Sequence, residues 1–121
     1  MRFLTSTGDY SNVYKQNTKI SGNFFISLVR QKNVQDLFAA GIIVSTKVGK
    51  AVIRNKIKRR VKAYLRENQH LHKNGVEVVF IARPEASAAD WLDIKADLSK
   101  IFQKIDNEIL KQDRNINYYN L

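Results

Sequence analysis

The stretch KVGKAVIRNKIKRRVKAYLR, residues 47–66, is the most informative part of this chain. It holds nine Lys or Arg residues in twenty positions and no Asp or Glu. When the stretch is projected at about 100° per residue, its large apolar side chains fall within one stripe about 120° wide. That stripe consists of Ile53, Ile57, Val61, Tyr64 and Leu65. The pattern predicts a helix from about Lys50 to Asn68 that packs on a sheet through this stripe.

The side of the predicted helix that faces away from the stripe is cationic. It carries Asn55, Lys58, Arg59, Lys62 and Arg66, while Arg54, Lys56 and Arg60 flank the stripe. Like charges one turn apart repel each other by about 0.2–0.5 kcal/mol per pair, and no acid lies nearby to relieve the repulsion. Bound phosphates would relieve it and would release counterions. A run of charge is usually a solvated face, but a run without alternating sign favours a polyanionic partner.

The composition indicates one globular domain over residues 1–121. The chain is 44% hydrophobic, which is enough to form a core, and its net charge is +10. It has no cysteine, so disulfides and thiolate metal sites are excluded and a cytoplasmic location is expected. Its apolar runs are far shorter than the roughly 20 residues that span a bilayer, and residues 1–9 lack a signal-peptide pattern. No membrane partner is expected.

The rest of the chain has the periodicity of two further helices and three strands. A helix is predicted over residues 8–16, with Thr7 as its N-cap, and strands are predicted over 23–30, 38–45 and 76–82. A last helix is predicted from a cap at Ser87 to about Lys111, followed by a loosely held polar tail over 113–121. The predicted order is therefore α-β-β-α-β-α.

Three patterns that resemble catalytic or metal sites have simpler explanations. His70-x-His72 lacks a third ligand nearby and is interpreted as a surface feature. Gly41 and Gly49-Lys50 have the wrong spacing for a phosphate-binding P-loop. A solvated helix face is predicted for the three acids Asp90, Asp93 and Asp97. No protein catalytic residue and no protein metal site are expected.

Several motifs carry a resemblance to a known family. Ala51-x-x-Arg54-Asn55-x-Ile57-Lys58-Arg59-x-Val61-Lys62 closely resembles the signature of the bacterial ribonuclease P protein component. Residues 41–50, GIIVSTKVGK, resemble the strand and loop that precede this helix in that family. Asp9-Tyr10-x-x-Val13-Tyr14-Lys15 resembles its first helix, residues 24–28 its first strand, and residues 78–84 a later strand that ends in Ala-Arg-Pro. The resemblance extends over most of the chain.

The resemblance implies an α/β fold: a two-layer α+β sandwich of the ribosomal-protein-S5 domain-2-like type. It has a roughly four-stranded sheet and a left-handed crossover, contrary to the usual handedness. The resemblance also implies that the chain is the protein subunit of ribonuclease P, whose catalyst is RNA. In that role it binds the catalytic RNA and the 5′ leader of precursor tRNA. It also supports the Mg²⁺ ions, which are bound mainly by the RNA.

The resemblance assigns residues of this chain to two RNA-binding surfaces. The set on the basic helix is Arg54, Asn55, Lys56, Lys58, Arg59, Arg60, Lys62 and Arg66. The set for the cleft that binds the leader is Tyr10, Tyr14, Lys15, Phe25, Lys47 and Arg83. From the spacing alone, Tyr10 and Tyr14 could instead pack their helix on the sheet.

Two positions depart from the family pattern. Lys56 stands where an arginine is usual, which keeps the charge and loses one guanidinium fork. Leu28 stands where some members have an aromatic residue that contacts the leader, and Phe25 is the alternative aromatic for that cleft.

Two other functions are weighed against ribonuclease P. The first is a stand-alone RNA-binding or ribosome-associated protein. The second is a DNA-binding protein, which is disfavoured because strands, not a helix-turn-helix frame, flank the basic helix. A DNA partner is therefore not expected.

Overall fold

The structure, a computed structural model, describes the backbone of residues 1–119 and the side chains of residues 1–111. Its helices and strands are, in chain order, β1 (Arg2–Phe3), α1 (Thr7–Lys15), β2 (Thr18–Ser21), β3 (Phe25–Gln31), β4 (Ala39–Ile43), α2 (Ala51–Glu67), β5 (Val76–Ala82) and α3 (Trp91–Tyr119). Short 3-10 turns at Gln69–Leu71 and Pro84–Ser87 precede β5 and α3. None of the helices in this part of the chain is long and apolar enough to cross a membrane.

The strands form one mixed sheet in the order β1-β4-β5-β3-β2. β4 pairs in parallel with both β1 and β5, whereas β3 pairs antiparallel with both β5 and β2. The predicted α/β class is confirmed, but the sheet has five strands, not four. The two unpredicted strands, β1 and β2, are only 2 and 4 residues long and lie at the sheet edges, so neither is long enough to show a periodic pattern. α2 connects β4 to β5, and the left-handed sense of that crossover stays a prediction.

The two faces of the sheet bury different residues of β5. Val76, Val78 and Phe80 belong to the larger core, which α2 and α3 complete on one face. Val79 belongs to a smaller core that includes Val13 of α1 on the other face. Because both faces are covered, residues 76–82 form a nearly continuous apolar run that only Glu77 interrupts, and the predicted bounds of β5 are confirmed.

The ends of α1 and α3 differ from the prediction. Ser6 caps α1, accepting a hydrogen bond from the Asp9 N–H at 3.0 Å, so the prediction of Thr7 is wrong by one residue. Ser87 is not the cap of α3, because it ends the 3-10 turn that Pro84 begins. Instead, the carboxylate of Asp90 accepts from the Asp93 N–H at 2.9 Å.

α3 also continues to Tyr119, well past the predicted end near Lys111. Most of the predicted tail, residues 113–119, is therefore helical, and residues 120–121 lie outside the described part of the chain. That the tail is loosely held stays a prediction.

Of the residues assigned to the surface, Asp97 is buried and His72 is half-buried. Asp97 is 3% exposed, and its two carboxylate oxygens accept from the N–H groups of Asn23 and Phe24 at 2.7 and 2.9 Å. His72 stacks on Phe38 with ring centroids 4.3 Å apart, and burial lowers its pKa. The surface prediction is wrong for Asp97 and only partly correct for His72, because long-range packing brings the β2–β3 turn onto Asp97 and Phe38 onto one face of His72.

Candidate nucleic-acid interface

The apolar stripe of α2 is buried, as predicted. Ile57, Val61, Tyr64 and Leu65 are all at most 5% exposed, and Ile53 is half-buried against the same core. This packing fixes the rotation of the helix about its axis. The opposite side, with its cations, therefore points away from the sheet.

The cations of α2 lie in an arc on the outside of the molecule. Asn55, Lys56, Arg59 and Arg66 are exposed, while Arg54, Lys58, Arg60 and Lys62 are half-buried. Among the described side chains, no carboxylate forms a salt bridge with any of these cations. Their charge is therefore not neutralised within the described part of the chain.

The edge strand β1 supports two of these cations. Phe3 lies beneath α2, with the Lys62 ammonium 5.4 Å and the Arg66 guanidinium 5.6 Å from its ring centroid. Such cation–π contacts contribute about 0.5–1 kcal/mol each at exposed sites. Phe3 thus orders two long side chains that have no acidic partner among the described residues.

The two arginines beside the apolar stripe lie at the rim of the helix, as predicted. Arg54 donates from Nε to the Gly49 carbonyl at 3.1 Å, which holds it against the loop before α2. Arg60 places its guanidinium 5.9 Å from the ring centroid of Trp91 in α3. Both side chains are therefore fixed by the protein itself.

On the other face of the sheet, α1 is tied down at its first turn by ion pairs. Arg2 contacts Asp9 of α1 at 3.0 Å and Glu77 of β5 at 3.7 Å. Glu77 is 3% exposed and pairs more closely with Arg30, at 2.9 Å. The Arg2 contact holds the pKa of Asp9 below its usual value. α1 leaves this anchored edge and leads directly into β2 at the opposite edge, so it crosses the sheet.

The two tyrosines of α1 have different environments. A Cβ at Gly41 would lie 2.6 Å from the ring of Tyr10, so the ring rests directly on the backbone of β4. The Tyr10 hydroxyl donates to the Leu4 carbonyl at 3.4 Å, and burial raises the pKa of Tyr10. Tyr14, one turn later, is 49% exposed. Tyr10 therefore packs α1 on the sheet, while Tyr14 is free to present its ring.

Beside α1, part of the sheet has an apolar floor that is only half-buried. The floor consists of Ile26, Leu28, Ile43 and Ile81, whose shared face follows from the strand register. Lys15 at the end of α1 and Lys47 in the loop after β4 are exposed. Arg83 follows β5 and donates from Nε to the Gly22 carbonyl at 3.2 Å. This half-buried apolar floor, together with these three basic residues, is called the cleft beside α1.

The residues that the structure describes contain no group of three or more His, Cys, Asp or Glu side chains placed to hold a metal ion. The acids on this face have structural partners instead: Asp9 and Glu77 are engaged by arginines. What the two surfaces offer is positive charge, aromatic and apolar area, and hydrogen-bond donors. These are the groups that bind single-stranded RNA.

Comparison with known proteins identifies the family. The chain matches the family described as Ribonuclease P over residues 1–106. A curated relative, the "Ribonuclease P protein component" of Clostridium kluyveri, is 34% identical over 105 residues, which cover 84% of this chain and 91% of that protein. The chain belongs to the ribonuclease P protein family. It is thus an accessory protein subunit of an endoribonuclease that processes tRNA, with RNA as its partner in the holoenzyme.

Solved structures agree with this assignment. The RNase P protein of Staphylococcus aureus superposes with a TM-score of 0.78 at 26% identity, covering 85% of this chain and 94% of that one. The RNase P protein from Thermotoga maritima gives a TM-score of 0.72 at 28% identity, covering 79% and 90%. The ribonuclease P fold therefore extends over most of this chain.

Phe25, predicted to line the leader cleft of this ribonuclease P protein, does not lie there. It is fully buried in the larger core, on the face of the sheet that α2 and α3 cover. Leu28, three residues later, lies on the cleft face beside Tyr10 and Ile43. Alternation along β3 decides between them, because residues an odd number of positions apart face opposite ways.

Sequence reasoning missed Lys19. It lies opposite Leu28 in the β2–β3 pairing, so the two side chains share the cleft face, and Lys19 is exposed. The only signal in the sequence was that Thr18 and Ile20 are residue types that favour strands. A segment of four residues is too short for that preference to predict a strand.

Proposed function

We propose that this subunit binds the catalytic RNA of ribonuclease P through the outer side of α2. One observation carries the proposal: the α2 cations have no acidic partner among the described residues, and the packed apolar stripe holds them outward. Each cation that contacts a phosphate releases condensed counterions, which favours binding. The residues assigned to this contact are Arg54, Asn55, Lys56, Lys58, Arg59, Arg60, Lys62 and Arg66.

The cleft beside α1 is proposed to hold the 5′ leader of precursor tRNA. Its exposed ring, Tyr14, can stack on an unpaired base, which contributes about 1–3 kcal/mol in single-strand complexes. Lys15, Lys47 and Arg83 supply charge for the leader phosphates. Lys19 is added to this set because it lies opposite Leu28 in the β2–β3 pairing and therefore faces the cleft. Tyr10 acts indirectly, by fixing α1 on Gly41.

The proposal assigns Mg²⁺ to the RNA, not to the protein. A protein that neutralises phosphates around a folded RNA lowers the repulsion that divalent ions otherwise have to screen. The subunit should therefore lower the Mg²⁺ concentration that cleavage requires. We propose that the subunit acts in the cytoplasm. A chain without cysteine is consistent with that reducing compartment, where disulfides are rare.

A reconstitution assay tests the function. The protein is mixed with the ribonuclease P RNA encoded by the same organism, and cleavage of a 5′-labelled precursor tRNA is followed at a Mg²⁺ concentration too low for the RNA alone. We expect the protein to restore cleavage at the mature 5′ end. A protein that binds RNA without restoring cleavage would support a stand-alone RNA-binding or ribosome-associated protein instead.

A further inference from the structure

A groove between α2 and α3 borders the cationic side of α2 and extends beyond it to α3. Five residues of α2 line it, from Lys56 through Arg59, Arg60 and Ala63 to Glu67, and Trp91 of α3 forms the opposite wall. At about 1.5 Å per residue, the α2 wall is about 16 Å long. The groove measures about 430 Å³, within the range of about 300–1,000 Å³ that is usual for ligand sites.

Trp91 is the only tryptophan in the chain and is flanked by two cations. The Lys95 ammonium lies 5.2 Å and the Arg60 guanidinium 5.9 Å from its ring centroid. The ring is half-buried, so part of it stays open to solvent. Two like charges are therefore held beside one aromatic ring at the surface.

The charge along the groove is uneven. The cations of α2 lie at the Lys56 end, and the single acid of the lining, Glu67, lies at the other end. Asp90 and Asp93 are near Trp91 in sequence, but a carboxylate oxygen of Asp90 turns back to the Asp93 N–H at 2.9 Å. Among the described side chains, no carboxylate forms a salt bridge with Arg60 or Lys95. An aromatic ring beside two such cations fits an unpaired nucleotide, whose base can stack while its phosphate contacts the cations.

From this geometry we propose that Trp91 is a stacking platform for an unpaired base of the catalytic RNA, and that Arg60 and Lys95 bind the adjoining phosphates. The RNA interface then continues from the outer side of α2 across the groove onto α3. This inference rests on the proposed function, because it extends the same RNA contact. This inference can nevertheless be disproved while the proposed function stands.

The first measurement uses the fluorescence of Trp91, which needs no label because no other tryptophan contributes. The intact protein is titrated with the catalytic RNA, and binding is followed in parallel by gel shift. We expect the emission to be quenched at saturation and acrylamide to reach the ring less readily. Emission and acrylamide access that do not change while the gel shift shows binding would overturn the inference and leave the proposed function standing. No binding at all would overturn both.

The second measurement compares variants at constant salt, with circular dichroism to check folding. Trp91→Leu is expected to weaken RNA binding at least about 5-fold, and Trp91→Phe to recover part of the loss, because a smaller ring still stacks. Wild-type affinity in Trp91→Leu would overturn the inference even if the emission is quenched. So would equal losses in the Leu and Phe variants, since that pattern indicates packing and not stacking.

A matched pair of lysines isolates the phosphate contact. Lys95→Ala is expected to weaken binding about 4- to 6-fold at 0.15 M salt and to lower the salt slope by about 0.7–0.9. Lys100→Ala removes the same charge from an exposed position on the same helix and is expected to change neither quantity. Equal effects of the two substitutions would mean that only net charge matters and would overturn the role of Lys95.

Discussion

Replacing Arg59 and Lys62 together with alanine tests the outer side of α2 most directly. Arg59 is exposed, and Lys62 is half-buried with its ammonium over Phe3. Neither residue forms a salt bridge among the described side chains, so the change leaves no acid unpaired there. The lost cation–π contact of about 0.5–1 kcal/mol is offset by relief of about 0.2–0.5 kcal/mol per like-charge pair. The free energy of unfolding should therefore change by less than about 1 kcal/mol.

The expected loss of affinity follows from counterion release. Each lost phosphate contact lowers the slope of log K against log salt by about 0.7–0.9, so two contacts lower it by about 1.4–1.8. The free energy gained from counterion release falls to about zero near 1 M salt. Extrapolating from there to 0.15 M makes binding about 15- to 30-fold weaker, or about 1.6–2 kcal/mol.

The assay is filter binding of the catalytic RNA at several salt concentrations between about 0.05 and 0.5 M, which is the range where the slope is steep. The control is Lys100→Ala with Lys111→Ala, which removes the same net charge from two exposed positions of α3. We expect the control to keep both the affinity and the slope of the wild type.

Two results would refute this account of the α2 surface. An unchanged slope would mean that these side chains do not contact phosphates. An equal loss in the α3 control would mean that binding depends on net charge, without a defined surface.

Three further predictions concern the cleft and the core. Tyr14→Ala should weaken binding of leader-containing precursor about 5-fold or more while leaving mature tRNA unaffected, and Tyr14→Phe should retain binding; equal losses for both RNAs would contradict stacking. Asp97→Asn should lower the free energy of unfolding by about 2 kcal/mol in urea, because each oxygen of this buried carboxylate accepts its own backbone N–H. Exposed Asp93→Asn is the control, and equal losses from the two would disprove this role of Asp97. Burial, followed by the nearby N-terminal amine and His70, lowers the pKa of His72 below its usual value of 6.5, so the unfolded chain binds the proton more tightly. The free energy of unfolding should therefore fall as the pH drops below about 6.5, and it should level off below the pKa of His72 in the folded protein. Thermal melting curves of His72→Gln that keep the same pH dependence as the wild type would contradict this.

Local chemistry decided the features that the sequence predicted well. The helical periodicity of α2 placed Ile57, Val61 and Leu65 inward and the cations outward. The nearly continuous apolar run of β5 marked a strand covered on both faces. The spaced motif at Arg54 and Asn55 pointed to the family, which the comparisons confirm. These features depend only on residues within one or two turns of each other.

Other features depend on which distant residues meet. Phe25 and Leu28 have similar sequence neighbours, yet the register of β3 buries Phe25 and leaves Leu28 on the cleft face. Asp97 accepts backbone hydrogen bonds because the β2–β3 turn, more than 70 residues earlier in the chain, packs against it.

The sequence by itself determined the net charge, the apolar periodicity of α2 and the family to which this protein belongs. Only the tertiary structure decided that Phe3 supports Lys62, and that Trp91 stands beside Arg60 across a groove. The physical reason is that side-chain period and charge are set along the chain. Sheet pairing and helix docking are set by packing between segments, which no local pattern encodes.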